Sequence, residues 1–327
     1  PRHDYPFVAG DAGNCDHTPR PNIRTEGKTI LMSSPVKISV IIPNLHSPII
    51  DQTLESVLAQ EIDMPYEVIV VGQDKYNLVE RFKEVQLIKT PKPVGAAEAR
   101  NIGISQAQGQ WLFFIDSDCI AQPGWMQALV EEFEAGWQVV GGGVTTPEEP
   151  FWLLVYNLSM FYGELASQPQ RVRKFMPTLN LAVHRNVIEE VGLLNEDLPR
   201  GQDIEWTSRM TLAEYKLLFK PQASIQHIPE RKNFASLREY VRKSGYYMIQ
   251  VRNRYPEIFN TPSILKNPLY WRLLAPFIAG AITIKIFIQT REVRQHWRIL
   301  PYIYLQKFSW CRGAWQSLTA EKKVKNE

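Results

Sequence analysis

The sequence predicts an α/β domain with a mostly parallel central sheet, followed by apolar C-terminal helices. Three observations predict it. Short β-branched runs alternate with stretches of helical periodicity over the first part of the domain, the pattern of βαβ units. One apolar run, WLFFI at 111–115, ends directly on Asp116-Ser117-Asp118. Beyond residue 272 the chain becomes strongly apolar and aromatic.

Residues 37–42 (KISVII) are β-branched and stop at Pro43, which reads as a strand. Residues 51–60 place Leu54, Val57 and Leu58 at helical spacing. Residues 67–71 (EVIVV) read as a second strand, 77–85 as a helix and 86–89 as a short strand. Residues 94–108 read as a helix and 111–115 as a buried strand. Pro123 opens a helix to residue 134, since proline suits a first turn. Residues 151–165 are aromatic and apolar, a helix or a substrate-facing wall. Residues 180–184 and 216–220 read as strands, and 203–213 as a helix opening on an acid.

The bulk composition excludes several classes. The 327 residues are 44% hydrophobic and 22% charged with net charge +3, which gives no argument for nucleic acid. Cys15, Cys119 and Cys311 are too scattered for a disulfide framework or a zinc spacing, and point to a reducing compartment. The first 31 residues lack the apolar stretch of a signal peptide. Residues 1–35 are expected to be a disordered tail, or sequence upstream of a natural start at Met32. The first strand runs into Pro43-Asn44-Leu45-His46 rather than G-x-G-x-x-G, and no P-loop is present. A dinucleotide-binding dehydrogenase and a P-loop enzyme are thereby excluded.

Two carboxylates one residue apart at a strand's carboxyl end stand where open α/β sheets bind ligands. Their hard oxygens suit Mg²⁺ or Mn²⁺, ions commonly shared with substrate phosphates.

Further motifs follow in order. Pro43 ends the first strand and EVIVV is the second; then come Gly95-x-x-x-Ala99-Arg100-Asn101-x-Gly103 and FFIDSD. NLAVHR, Gly201-Gln202-Asp203-x-Glu205-Trp206 and His227 complete the series. Over about 37–255 this resembles the family 2 inverting glycosyltransferases, which use the GT-A nucleotide-sugar fold. The resemblance implies that Asp118 and His227 bind the metal. It implies that Asp116 reaches the ribose, or the metal through water, and that Arg100 approaches the nucleotide or holds the acid loop. Pro43 and Asn44 would line the base pocket, and Asp203 would be the catalytic base. Two departures stand out. Where the family carries an acidic pair after the second strand, this chain has Gly72-Gln73-Asp74. Gln73 can read a base edge as donor and acceptor, with Asp74 taking over the lost contact, so the nucleobase stays open. The Glu usual before the catalytic Asp is Gln202.

The chemistry is coherent without the family. A nucleoside diphosphate is already a good leaving group, so the enzyme must stabilise its charge and supply a base. A divalent cation supplies the first, and a carboxylate near the acceptor hydroxyl supplies the second.

A basic stretch holds Arg231, Lys232, Arg238, Arg242, Lys243, Arg252 and Arg254 among Tyr240, Tyr246 and Tyr247. Arg238 and Arg242 share a helix face. They are candidates for diphosphate or acceptor contacts, for anionic headgroups, or for a solvated basic face. Glu205 is a further candidate contact, a partner of the base, or a surface acid. Residues 273–289 are apolar around Lys285 but short of the roughly 20 residues of a spanning helix. With 298–318, which hold Trp310 and Trp315, they read as a monotopic or re-entrant helix pair, or as a hairpin packed on the domain.

The expected organisation is thus a disordered or non-native segment 1–35, a glycosyltransferase catalytic domain 36–255 and a helical segment 256–327 that is a candidate for membrane association. The expected function is metal-dependent, inverting transfer of a sugar from a nucleoside-diphosphate sugar to a glycan or lipid-linked hydroxyl. It would occur at the cytoplasmic face of a membrane, or in the cytoplasm if the helical segment packs on the domain, without nucleic acid. The alternative is a degenerate sugar-nucleotide-binding scaffold without turnover.

Overall fold

A computed structural model describes residues 36–230 and 233–324; the expected tail at 1–35, and Arg231 and Lys232, lie outside the described residues. The strands are β1 (Ile38–Leu45), β2 (Tyr66–Gln73), β3 (Val85–Lys89), β4 (Trp111–Ile115), β5 (Cys119–Ala121), β6 (Val139–Thr145), β7 (Arg171–Arg173), β8 (Asn180–His184) and β9 (Leu217–His227). They form one sheet in the order β3-β2-β1-β4-β8-β6-β9-β5, with β7 paired to β9. The four strands β3, β2, β1 and β4 are parallel. Then β8 enters antiparallel between β4 and β6. Strand β9 runs parallel to β6 and antiparallel to β5 and β7.

The helices are α1 (Ile50–Leu58), α2 (Ala96–Gln106), α3 (Trp125–Glu134), α4 (Phe151–Met160), α5 (Arg185–Val191), α6 (Gln202–Leu212), α7 (Phe234–Arg254), α8 (Pro256–Phe259), α9 (Pro268–Gln289), α10 (Arg291–Gln295) and α11 (Leu300–Val324). Successive strand residues point to opposite faces, and here both faces are covered. Val40, Ile42, Phe113 and Ile115 join Leu54, Val57 and Leu129 of α1 and α3 on one side. Ile41, Leu112 and Phe114 join Trp206 and Met210 of α6 on the other. Burial on both faces is why the strands read as unbroken apolar runs.

Three expectations change. Residues 77–84 contain a 3₁₀ turn at Val79–Arg81 in place of the expected helix, and Val85 already begins β3. The Asp74 carboxylate accepts the Tyr76 and Val79 amides at 3.2 and 2.8 Å, and Asn77 adopts φ +53°, so a turn replaces the helix. The strand expected at 216–220 continues for eleven residues and carries His227. The apolar run at 273–289 belongs to a 22-residue helix, long and apolar enough to cross a membrane by length and composition.

The described residues, 36–230 and 233–324, form one compact unit. Helix α11 packs along both α7 and α9. The first contact is backbone to backbone: a Cβ on Gly245 would lie 2.1 Å from the Trp310 oxygen, and one on Gly313 1.9 Å from that of Arg242. Helix α9 turns Trp271, Ala275, Ala279 and Ile286 inward. It leaves Leu273, Phe277, Ile284 and Ile288 between 58% and 74% exposed.

Candidate active site

Asp116-Ser117-Asp118 leave the carboxyl end of β4 in a turn closed by the Cys119 amide, which donates to the Asp116 oxygen at 3.0 Å. The Ser117 oxygen accepts from Ser47 Oγ at 2.7 Å and Thr53 Oγ1 at 3.1 Å. The Asp118 oxygen accepts the Ile228 amide at 2.8 Å. The acid loop is therefore held between the start of α1 and the end of β9. From α2, the buried Arg100 forms an ion pair with Asp116 and donates to the Ala96 oxygen at 3.3 Å. Burial pushes the Asp116 carboxyl up from its ordinary value, and Arg100 pulls it back.

Two cavities adjoin here and share Ala96, Arg100 and Asp116. The first, of about 440 Å³, is lined by Pro43, Asn44, His46, Ser117 and Asp118 among others. Asn44 bridges the β1 and β2 ends, donating to the Gln73 oxygen at 3.1 Å and accepting the Ser47 amide at 3.0 Å. Gly72 has φ +135°, and a Cβ there would lie 1.9 Å from the Asn44 oxygen. Only glycine tolerates this approach. Gln73 and Asp74 do not line the cavity. Gln73 donates its amide to the Thr90 oxygen at 3.2 Å, and Asp74 organises the turn described above. His46, which sequence reasoning passed over, does line it. Its φ of +58° belongs to a tight turn, and its Nδ1 accepts the Lys75 amide at 3.1 Å.

The second cavity, of about 470 Å³, contains Asp203. Gly201 enters the left-handed region at φ +78° to start α6, which places Asp203 in the first helical turn. The Asp203 carboxylate accepts the Ile204 amide at 2.8 Å. Burial nevertheless pushes its carboxyl up, against that bond and the Arg100 charge. Tyr156, Phe161, Phe175, Tyr240 and Trp310 give the cavity an aromatic wall. Arg200 lies 4.2 Å from the Tyr240 ring centre. No local spacing links these residues, which come from loops and helices between 156 and 310.

Glu205, Arg238 and Arg242 line neither cavity. Glu205 is buried, pairs with Arg209 at 3.1 Å and accepts the Tyr255 hydroxyl at 2.6 Å. Burial and that hydrogen bond push the Tyr255 phenol up to about 12. Arg238 donates to Ser309 Oγ at 3.4 Å, and Arg242 to Glu239 at 2.8 Å.

Among the described residues, Asp118, Cys119 and His227 form a cluster whose donor atoms lie within 4.8 Å of one another. His227 Nε2 stands 3.7 Å from Asp118 Oδ1. The other ring nitrogen meets Asn157 Oδ1 at 2.9 Å. Asn157 spends its amide hydrogens on Thr146 Oγ1 at 3.0 Å and the His227 oxygen at 2.8 Å. Its oxygen therefore faces Nδ1, which must carry the proton in the neutral ring. Nε2 stands on the side of the Asp118 carboxylate. An oriented imidazole beside a carboxylate is a donor set that fits a divalent cation.

Residues 39–192 match the model of glycosyl transferase family 2. Glycosyltransferase AglE of Haloferax volcanii is 30% identical over 193 residues, 56% of this chain and 64% of that protein. Glucosyl-dolichyl phosphate glucuronosyltransferase of the same organism is 28% identical over 46% of this chain and 53% of its own length. The chain thus spans less than two thirds of either relative. The mannosyltransferase PcManGT from Pyrobaculum calidifontis, solved in complex with GDP-Man and Mn²⁺, superposes with a TM-score of 0.54 at 16% identity. That likeness covers 84% of this chain and 88% of the other, and the shared fold is of GT-A type. The matched segment contains β1, the Arg100 helix and the acid loop, and the sheet around them is of GT-A type: over residues 39–192 the chain is of glycosyl transferase family 2.

Proposed function

We propose that this chain is a metal-dependent, inverting glycosyltransferase. It moves a sugar from a nucleoside-diphosphate sugar to a hydroxyl of a glycan or lipid-linked acceptor. The observation that carries the reading is the meeting of two cavities at Arg100 and Asp116, with Asp118 on the first and Asp203 on the second. Such a pair of cavities suits a donor and an acceptor held side by side.

Pro43, Asn44 and His46 receive the nucleoside, and Asp116 and Arg100 meet its ribose or diphosphate. Asp118 and His227 hold Mg²⁺ or Mn²⁺, which supplies Lewis-acid stabilisation of charge on the leaving diphosphate. Asp203 accepts the proton of the acceptor hydroxyl as its oxygen bonds to the anomeric carbon. The bond from that carbon to the diphosphate breaks in the same displacement, which inverts the centre. A carboxylate whose pKa is raised by burial takes a proton more readily than an exposed one. The aromatic wall and Arg200 offer flat apolar faces and a cation to the acceptor.

The outer face of α9 seats the chain on the cytoplasmic face of a membrane. Its exposed Leu273, Phe277, Ile284 and Ile288 are flanked by exposed Arg272, Lys285 and Arg291, and Trp297 is 61% exposed nearby. Apolar bulk with basic neighbours and tryptophan suits an interfacial helix on anionic lipid. The relative that acts on glucosyl-dolichyl phosphate supports a lipid-linked acceptor.

A screen of nucleotide sugars by thermal shift, with Mn²⁺ or Mg²⁺, tests the reading, because a ligand that binds the folded state raises stability. One nucleotide sugar should raise Tm only with metal, and Asp118→Ala should abolish that increment. An Asp118→Ala protein with full metal-dependent binding and turnover overturns the assignment.

A further inference from the structure

We propose that Cys119 is a third ligand of the metal at Asp118 and His227, tuning the site toward thiophilic divalent cations. The inference rests on the metal reading above and adds a residue to it. Cys119 and His227 are direct partners in the antiparallel β5–β9 ladder. Residues opposite one another in such a ladder project to the same face. The pairing therefore sets thiol and imidazole side by side, whatever the conformation of the loop.

Asp118 completes the group from the preceding position. Cys119 Sγ lies 3.8 Å from Asp118 Oδ1, and His227 Nε2 lies 3.7 Å from the same oxygen. Two ligands about 2.0–2.3 Å from one ion at a tetrahedral angle stand roughly 3.3–3.8 Å apart. Both observed separations lie in that range, and all three donors fall within 4.8 Å. The imidazole is already oriented by Asn157. A carboxylate alone is a hard donor that suits Mg²⁺; adding imidazole and sulfur shifts preference toward Zn²⁺ and Co²⁺. On ligation the thiol gives its proton to the buffer and binds as thiolate.

Packing offers the competing account, because Cys119 is fully buried and touches the apolar core beneath the sheet. Metal titrations of the full chain separate the two. Co²⁺ alone should produce a thiolate-to-cobalt charge-transfer absorption in the wild type. That band should vanish in Cys119→Ala and Cys119→Ser and persist in Cys311→Ala, whose thiol is buried among the C-terminal helices. Calorimetry should show Zn²⁺ affinity falling about tenfold or more in both Cys119 variants, and Mg²⁺ affinity changing by less than about threefold. The serine variant keeps the volume of the side chain, so unchanged melting shows that the fold is intact. Absence of the band in the wild type, or wild-type Zn²⁺ affinity in Cys119→Ala, overturns the proposal. If Asp118→Ala still loses metal binding in that case, the broader reading stands without Cys119. If Asp118→Ala also retains metal, both fail.

Discussion

Arg100 and Asp116 form a single ion pair that borders two cavities at once. The guanidinium is almost fully buried, while the carboxylate side chain keeps 32% of its exposure. The pair thus supports the acid loop and stands where ligands in the two cavities would meet.

Arg100→Met should therefore cost stability as well as donor binding. Exposed pairs are worth below about 1 kcal/mol, and breaking a fully buried pair costs about 3–5 kcal/mol. With Asp116 partly solvated, a loss of about 2 kcal/mol is expected by denaturant unfolding. Adding Asp116→Asn should recover part of it by removing the stranded charge. Additive losses in the double variant would show that the two residues act independently.

Asp203→Asn should lower kcat by about 10²–10⁴-fold with donor binding nearly unchanged, as for loss of one general base. Because burial raises the Asp203 carboxyl, wild-type kcat should fall with acid at a pH above the ordinary carboxylate range. The sign for stability is opposite. A carboxyl raised in the folded state takes up protons there more readily than when unfolded, so its charged form is a destabilising element at neutral pH. Asp203→Asn should then melt no lower than wild type. An active Asp203→Asn beside a dead Glu205→Gln would assign the base to Glu205 instead.

Gly245→Ala places a methyl group 2.1 Å from the Trp310 oxygen, and backbone cannot move aside cheaply. A loss of about 1–3 kcal/mol is expected from overpacking. Since Tyr240 of α7 and Trp310 of α11 both wall the second cavity, KM for the acceptor should rise more than KM for the donor. Equal changes in both constants would mean that the helix contact is remote from the acceptor.

Lys307 donates to the Ser159 oxygen at 2.6 Å, and burial lowers its ammonium to about 8. An unfolded lysine titrates near 10.4. Between those values the unfolded chain binds more protons, so stability gains with rising pH from this residue. Lys307→Met should gain most over wild type below pH 8, and the difference should shrink by pH 10. Unfolding midpoints of both proteins across that range would show it, and a constant difference would contradict it.

Phe277→Asp with Ile284→Asp charges the outward face of α9 without touching its packed side. Sedimentation with anionic liposomes should retain the wild type and release the double variant. Truncation at 273 is a poorer probe, because it removes α11 and with it Trp310 from the second cavity. Equal retention of both proteins would place any membrane contact elsewhere.

Legibility in the sequence followed local constraint. Strand β4 was readable to the residue, because both its faces are buried and the acids mark its end. Strand β9 read short, since Pro221 and Gln222 interrupt its apolar pattern although the ladder continues. Helix α9 read short because its start lies before the apolar run. Asn267 caps it by accepting the Leu269 amide at 3.0 Å, and Pro268 occupies the first turn. The acid loop, Arg100, Asp203 and His227 come together in space as a local motif plus long-range order suggested. Arg200, Tyr240 and Trp310 meet only through tertiary packing, and Asn157 was hidden inside an aromatic stretch that reads as wall.

The two cavities draw on stretches of chain that scarcely overlap. The first takes nearly all of its lining from residues 43–118, with only Ile228 and Glu230 from later; past the three shared residues, the second takes its lining from 156–310. Each half of the site can therefore drift with little rewriting of the other, provided that His227 and the Ile228 amide at the end of β9 are kept for the acid loop. A chimera that exchanges the chain past β6 with a homologue should inherit that homologue's choice of acceptor while keeping its own choice of donor. New linkages would then arise by shuffling halves, with Arg100 and Asp116 as the fixed joint.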